Sequence, residues 1–197
     1  MNKINKFSVR DIITMVILSV LIVVVQLAVN AVSMVNEFFS LVLSSGVVCF
    51  LSAPIYVVMI KKVKKPLVTF VYSSILALVY LMMGYWFISI YLILVGIICE
   101  LFLYKNQNNK QIIKAWTFFS MAYVGTSILP IFIMWDDYVT ASLNGGMTME
   151  YINSYKNYYT EPKWIIFIVA FAAISGLIGS YYGTKLTKKH FDKAGVL

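Results

Sequence analysis

The chain has 197 residues, of which 61% are hydrophobic and 12% are charged, and its mean hydropathy is +0.84. Soluble globular proteins carry about 25% charged residues, so this composition indicates an integral membrane protein and excludes a separate soluble domain. A net charge of +8 would suggest nucleic-acid binding in a soluble protein, but in a membrane protein the positions of the charges matter more than their sum, and no nucleic-acid partner is expected.

Long uncharged runs predict the membrane helices. A helix rises about 1.5 Å per residue and needs about 20 apolar residues to cross a hydrocarbon core of about 30 Å. The apolar run at 66–104 is too long for one crossing, so it must reverse, and residues 83–86 are the predicted hinge. The pattern therefore predicts an all-α membrane protein with one domain, residues 1–197. Its six predicted helices lie at about 12–34, 38–60, 67–83, 85–104, 112–135 and 164–186.

Lysine and arginine predict the orientation of these helices, because cytoplasmic loops collect them. Fourteen of the sixteen fall on one side of the predicted bundle. They are Lys3, Lys6, Arg10, Lys61, Lys62, Lys64, Lys65, Lys105, Lys110, Lys114, Lys185, Lys188, Lys189 and Lys193. Lys156 and Lys163 fall on the other side. Both termini are therefore predicted to be cytoplasmic, and residues 136–163 are predicted to form an extracellular loop.

The segment 136–163 is the one long stretch of this sequence that cannot lie in hydrocarbon. It carries four of the eight acidic residues, several tyrosines and the Gly145-Gly146 pair. A loop of this length between membrane helices is uncommon unless it serves as a lid or a binding surface. The alternative is a solvated linker with a helix that lies on the lipid headgroups.

Polar side chains inside the predicted helices indicate a binding site at the outer face. They are costly in hydrocarbon unless they face a bundle interior or a cavity. Gln26 and Asn30 lie on one stripe of the first helix, and Tyr123 and Ser127 lie on one stripe of the fifth. The candidate substrate-binding residues are Gln26, Asn30, Trp86, Tyr123, Ser127, Asp137, Tyr138, Tyr151, Tyr155 and Trp164. The alternative is interhelical hydrogen bonding together with an aromatic belt at the membrane interface.

Small residues at four-residue steps predict close packing of the sixth predicted helix. Ala172, Gly176 and Ser180 form this stripe, which serves either packing within the bundle or docking of a partner subunit. The sequence contains no P-loop, H-E-x-x-H or G-x-S-x-G motif, and its one histidine is His190 in the tail. We therefore expect no catalytic residues and no metal site.

Five stretches of the chain carry a family resemblance. They are KFSVRDIITMVILSVL near the start, KKVKKP after the second predicted helix, the Gly84-Tyr85-Trp86 turn, Asp136-Asp137-Tyr138, and the closing GTKLTKKHFDKAGV. In these stretches the chain resembles the Trep_Strep, or MptD-like, group of substrate-binding (S) components of energy-coupling-factor (ECF) transporters.

The resemblance implies a six-helix S component that is not an enzyme. Such a subunit captures a micronutrient at its outer face and delivers it together with a transmembrane T subunit and two cytoplasmic ATPases. The implied cargo is a vitamin, a vitamin precursor or a tetrapyrrole such as haem, with no intrinsic cofactor. The resemblance also implies a docking face on the first helix, where Thr14 and Ser19 are the small residues. The competing hypothesis is a small multi-pass membrane scaffold or assembly protein whose outer loop binds a protein partner.

Overall fold

A computed structural model describes residues 7–191, which are almost entirely helical and contain no strand. The helices are α1 (Val9–Ser33), α2 (Ser44–Val63), α3 (Val68–Met82), α4 (Trp86–Leu103), α5 (Asn109–Tyr123), α6 (Gly125–Ile133), α7 (Trp135–Asn144), α8 (Met149–Thr160) and α9 (Pro162–Leu186). A π-helical turn, Phe39–Leu43, leads into α2, and another, Thr187–Phe191, follows α9. Lys3, Lys6, Lys193 and the last residues of the GTKLTKKHFDKAGV motif lie outside the described residues.

Five helical segments in the described part of the chain are long and apolar enough to cross a membrane. They are Val9–Ser33, Phe39–Val63, Trp86–Leu103, Asn109–Ile133 and Pro162–Lys189. The helix predicted at 67–83 is present as α3, but it has only 15 residues. At 1.5 Å per residue α3 is about 22 Å long, which is shorter than a hydrocarbon core of about 30 Å. The sixth span therefore stays a prediction.

The turns of the bundle follow from local chemistry. The hydroxyl of Ser8 accepts a hydrogen bond from the Asp11 backbone while the Asp11 carboxylate accepts one from the Ser8 backbone, which is a capping box at the start of α1. Asn108 caps α5 in the same sense by accepting from the N–H of Gln111. At the predicted hinge, α3 ends and Gly84 has a φ of +89°, a conformation that glycine adopts without a steric penalty.

The helix predicted at 112–135 is interrupted at Val124, between α5 and α6. Pro130 has no N–H to continue the ladder, and the hydroxyl of Tyr91 on α4 donates to the carbonyl of Ala122 at 2.7 Å. The Tyr91 ring also lies in the space that a side chain at Gly125 would need. The interruption therefore depends both on the local sequence and on contact with α4, and Pro130 leaves the carbonyl of Thr126 without its usual helical donor.

One end of the bundle, which we call the lysine end, contains the connections at 64–67 and 104–108 and the π-helical turn at 187–191. Lys65 forms an ion pair with Asp11 at 2.5 Å, and its carbonyl accepts from Gln107 Nε2 at 2.8 Å. Lys61 donates to the Thr187 hydroxyl at 2.9 Å. These contacts tie the start of α1, the end of α2 and the links beside them to one surface. Eleven of the fourteen cationic residues that were assigned to one side lie in the described chain, on these links or on the helix turns next to them.

A buried carboxylate at the lysine end closes the first turn of α3. Glu100 on α4 is 8% exposed. Its two oxygens accept from the backbone N–H groups of Leu67 at 2.9 Å, Thr69 at 2.5 Å and Phe70 at 3.2 Å. The first N–H groups of a helix have no partner within the helix, and the positive end of the helix dipole favours an anion there. Glu100 therefore acts as a helix cap supplied from a neighbouring helix.

The opposite end, which we call the cap end, carries the turns at 34–38 and 83–85 together with α7 and α8. The segment 136–163 connects two of the apolar helices, and most of it is itself helical. Its extracellular position stays a prediction. Thr148 caps α8 by accepting from the N–H of Tyr151, and Gly146, with a φ of +87°, separates α8 from α7. Tyr155 and Tyr159 lie one turn apart on α8 and are buried against the bundle, and this burial stabilises the helix.

The small-residue stripe on α9 packs inside the bundle, which is one of the two roles predicted for it. Ala172 and Ser180 are fully buried. A Cβ at Gly176 would collide with the side chain of Ser120 on α5. The docking candidate Ser19 on α1 is also fully buried, and its hydroxyl donates to the sulfur of Met59 at 3.5 Å. These four residues bring α9 and α1 close to their neighbours and leave no free surface for a partner.

Candidate functional site

An outer cavity of about 320 Å³ opens at the cap end, between the α3–α4 turn, α6 and the two cap helices α7 and α8. Four tyrosines, Tyr80, Tyr85, Tyr138 and Tyr155, line it, and none of the described residues that line it carries a charge. Small-molecule sites are typically mainly apolar, with a few polar groups and a volume of about 300–1,000 Å³. The cavity therefore has the size and chemistry to hold a small uncharged molecule.

Stacked aromatic rings on α7 and α8 form one wall of the outer cavity. Tyr138 and Tyr155 lie with ring centroids 4.7 Å apart and planes inclined by 21°, and Trp135 stacks on Tyr138 at 5.7 Å. The hydroxyl of Tyr155 on α8 donates to the carbonyl of Ser127 on α6. This bond and the ring contacts hold α8 against α6 and hold the stacked rings in place. A wall of this kind suits contact with the face of a flat ring.

The hydroxyls of Tyr138 and Tyr155 stay protonated at physiological pH. Burial raises the pKa of Tyr138 to about 12. Burial also raises the pKa of Tyr155, and the nearby Tyr138 raises it further. Desolvation disfavours a phenolate, so these side chains act as neutral hydrogen-bonding groups. The lining of the outer cavity is therefore neutral, because it has no charged side chain and both Tyr138 and Tyr155 keep their protons.

An inner cavity of about 100 Å³ lies deeper in the bundle, between α1, α3 and α5. Tyr80 and Met83 line both cavities, so these two side chains lie where the outer and inner cavities adjoin. Besides Tyr80, the polar residues of the inner cavity are Gln26, Asn30 and Tyr123, three of the candidates predicted from sequence. The hydroxyl of Tyr80 interacts with the side chains of Tyr123 and Thr126.

Gln26 is the polar residue of this region whose hydrogen bonds are incomplete. Its side chain is buried, and its Nε2 donates to the hydroxyl of Tyr72 at 2.7 Å. Its Oε1 is shielded from solvent and has no hydrogen-bond partner among the described residues. An unpaired buried acceptor costs about 1–3 kcal/mol of folding free energy. Native proteins contain few such atoms, so this one calls for an explanation.

Six of the ten substrate-binding candidates therefore lie at the two adjoining cavities: Gln26, Asn30, Tyr123, Ser127, Tyr138 and Tyr155. The other four lie elsewhere. Trp86 is 54% exposed, with its ring edge-on to Phe87, and Asp137 is exposed in the first turn of α7. Tyr151 bonds the hydroxyl of Ser40 at 2.8 Å. Trp164 packs edge-on against Phe38 and Tyr158.

Sequence reasoning missed Tyr80, Met83 and Tyr85, which line the outer cavity from the end of α3 and the turn after it. Tyr80 and Met83 are three residues apart, so they share a face of α3 next to the predicted hinge. This spacing could have identified them. Their apolar neighbours hid the signal, because tyrosine and methionine were counted with the apolar run.

Two further cavities lie toward the lysine end. An apolar groove of about 560 Å³ is lined by α1, α2 and the end of α9, and it includes the docking candidate Thr14. A basic depression of about 640 Å³ is lined by Lys61, Lys64 and Lys105. Among the described residues no group of three or more His, Cys, Asp or Glu side chains could hold a metal ion.

Comparison with known proteins identifies one family. A family model described as a hypothetical bacterial integral membrane protein (Trep_Strep) matches residues 9–193, which is nearly the whole chain. No curated protein and no solved structure matches the chain.

Proposed function

The chain belongs to the Trep_Strep family of bacterial integral membrane proteins, and from this membership we propose that it is a solute-binding membrane subunit, the S component of an ECF-type importer. The observation that carries the proposal is the uncharged, tyrosine-walled outer cavity at the cap end. A bundle that served only as a scaffold would have no need of such a cavity.

The proposed cargo is a small uncharged micronutrient, a vitamin or a vitamin precursor. A buried carboxylate is stabilised most by a cationic partner, and none of the described residues lining the outer cavity is cationic. Haem and related tetrapyrroles, which the family resemblance also implies, carry carboxylate groups and are large for a cavity of about 320 Å³. A flat molecule of one or two rings fits the stacked wall of Tyr138 and Tyr155 better.

The proposed topology has six spans, with α3 as the short one, and places both termini in the cytoplasm. The concentration of lysines at the lysine end supports this orientation, because cytoplasmic segments collect positive charge. The protein would then lie in the cytoplasmic membrane with the cap end and its cavity facing outward. The molecule would enter from outside, between the α3–α4 turn and the cap helices.

Energy for uptake would come from other subunits. The sequence has no P-loop, so the proposed partners are a T subunit and two cytoplasmic ATPases. The apolar groove beside Thr14 is the proposed docking face for the T subunit, since it lies on the outer surface of α1 and is lined by exposed apolar residues such as Ile13 and Ile17.

Native mass spectrometry of the freshly purified protein tests the proposal. We expect a bound small molecule on the wild type, and about tenfold weaker retention in Tyr138→Ala, because stacked aromatic contacts contribute about 0.5–1.5 kcal/mol and 1.4 kcal/mol is tenfold in affinity. Trp86→Ala is the matched control, since its ring is exposed and lies outside the cavity. An empty wild type would contradict the proposed function. An equal loss of the bound molecule from both variants would show that it binds outside the outer cavity.

A further inference from the structure

The basic depression at the lysine end is a recess between two segments of the chain. It has a volume of about 640 Å³ and lies between the end of α2 and the connection from α4 to α5. Its lining combines lysine side chains with Pro66, Tyr104 and the three consecutive amide residues at 106–108. The recess can therefore surround a bound group with several hydrogen-bond donors.

Hydrogen bonds hold the two walls of the depression in place. Nε2 of Gln107 donates to the carbonyl of Lys65 at 2.8 Å, which joins the connection after α4 to the connection after α2. Lys64 ends α2 in a left-handed conformation with a φ of 54°, and its backbone N–H donates to the carbonyl of Ile60 at 2.9 Å. The backbone positions from which the lysine side chains extend are thus set by the fold.

The lining of the depression carries positive charge only. It contains three lysines and no Asp or Glu of the described chain: Lys61, Lys64 and Lys105. The two acidic residues that the described chain places at the lysine end bind elsewhere. Asp11 forms its ion pair with Lys65, and Glu100 is buried and accepts three backbone N–H groups. Lys64 and Lys105, which are both exposed, therefore favour an anion in the recess.

The depression lies where two apolar helices end. The candidate span Phe39–Val63 ends beside Lys64, and the candidate span Trp86–Leu103 ends beside Tyr104. Tyr104 is 78% exposed, and Leu101, three residues earlier, is 70% exposed. An exposed leucine next to an exposed tyrosine is typical of a helix end at the membrane interface, because tyrosine is enriched at the level of the headgroups. The phosphate groups of membrane lipids are therefore the anions nearest to these lysines.

We propose that the basic depression binds the phosphate group of an anionic phospholipid. Lys64 and Lys105 would contact the phosphate oxygens from the two walls, and the acyl chains would lie along α4 beside Leu101. A lipid with a net negative charge is preferred to a zwitterionic one, since basic pockets at the ends of membrane helices attract anionic headgroups. This site is independent of the cargo and of the partner subunits under the proposed function.

Titration of the purified protein with lipids in a neutral detergent, followed by native mass spectrometry, tests the site. Phosphatidylglycerol and phosphatidylcholine with the same acyl chains both contain a phosphate, but only phosphatidylglycerol has a net negative charge. We expect the wild type to bind phosphatidylglycerol about twentyfold more tightly, because each of two lysines near an anionic headgroup strengthens binding about fivefold. Equal affinity for the two lipids, or no binding of either, would overturn the proposal.

Inorganic phosphate is a third probe, which separates a lipid site from a site for a soluble phosphate compound. It has the same charged group and no acyl chains, so it should displace phosphatidylglycerol only at a far higher concentration. Displacement at a concentration equal to that of the lipid would overturn the assignment to a lipid.

Two double variants test the residues. Lys64→Asn/Lys105→Gln should remove the preference for phosphatidylglycerol, and asparagine is chosen because it tolerates the left-handed conformation of Lys64. Lys188→Gln/Lys189→Gln removes the same charge from two exposed lysines at the lysine end that do not line the depression, and it should keep the preference. An equal loss in both variants would show attraction by overall charge and would overturn the site. The comparison of the two lipids on the wild type does not depend on the folding of either variant.

Discussion

The backbone of Gly179 on α9 lies directly against the carbonyl group of Phe50 on α2. A Cβ atom at Gly179 would stand 2.6 Å from that oxygen and 2.9 Å from the Cβ of Ala53. Both distances are too short for a real contact, and the nearest obstacle is backbone, which cannot rotate away. Helices α2 and α9 form the most extensive interhelical contact of the bundle, so this close approach sets the spacing at its centre.

Gly179→Ala should therefore destabilise the protein by about 1–3 kcal/mol, the usual effect of an added methyl group in a packed core. Thermal unfolding in detergent measures this change. Ala170→Leu is the control, because Ala170 lies on the exposed face of the same helix and its replacement should change stability by no more than about 0.5 kcal/mol. Equal stability of Gly179→Ala and wild type would show that α2 and α9 can separate freely.

Replacement of Glu100 should also lower stability. Glu100→Gln exchanges a carboxylate that accepts three backbone hydrogen bonds for an amide with one acceptor oxygen, so at least one N–H at the start of α3 loses its partner. Hydrogen bonds to a charged group contribute about 1.5–3 kcal/mol, and we expect a loss of that size in the free energy of unfolding. Glu150→Gln, at an exposed position on α8, is the matched control. A similar small effect in both variants would contradict the capping role.

The lengths of the apolar runs and the positions of the charges gave the clearest predictions from the sequence. The structure has the predicted turns, which depend on local sequence alone. A reversal at 83–86 and a gap between the helices at 12–34 and 38–60 were predicted from hydrophobic length, and the structure has a turn at each place. The role of Glu100 could not be predicted, because its partners are N–H groups about thirty residues earlier in the chain. Likewise the break at Val124 depends partly on Tyr91, which belongs to another helix.

High pH should weaken the cap end. Burial raises the pKa of Tyr138 from 10 to about 12, so the folded state holds the phenolic proton more tightly than the unfolded state. This contribution to stability is fully present below pH 10 and is lost as the pH rises from about 10 to 12. Tyr138→Phe should reduce the fall in the free energy of unfolding across this range by an amount on the order of 1 kcal/mol, which thermal unfolding at a series of pH values measures. Tyr104→Phe, at an exposed site on the lysine end, is the control for removal of a tyrosine hydroxyl.

The proposed orientation can be tested with single cysteines. Asn153→Cys, on the exposed side of α8, should react with a membrane-impermeant maleimide in intact cells. Asn109→Cys, at the exposed start of α5, should react only after the membrane is permeabilised. The native Cys49 and Cys99 are 2% and 0% exposed, so they should not contribute to the signal. The reverse labelling pattern would overturn the topology.

The candidate site was predicted in part, and the misses have a common cause. Gln26, Asn30, Tyr123 and Ser127 were found because polar residues in an apolar helix stand out, and all four line a cavity. Aromatic residues gave no such contrast. A tryptophan near a helix end, such as Trp86 or Trp164, gives the same sequence pattern whether it faces a cavity or the surface. Which of the two it faces depends on the rotation of the helix, and packing against neighbouring helices sets that rotation.

The short length of α3 and its cap on α4 bear on how the chain enters a membrane. Alone in hydrocarbon, α3 would be about 22 Å long and would leave the N–H groups of its first turn without partners, each of which is costly to expose to lipid. Once α4 is beside it, Glu100 closes that turn and Gly96 admits Ser73 at close range. If α3 crosses the membrane as proposed, the two helices would insert as one unit, and α3 would be retained in the translocation machinery until α4 has been synthesised. Membrane insertion of this protein would then require the carboxylate of Glu100, even if the inserted protein does not need that carboxylate for its activity.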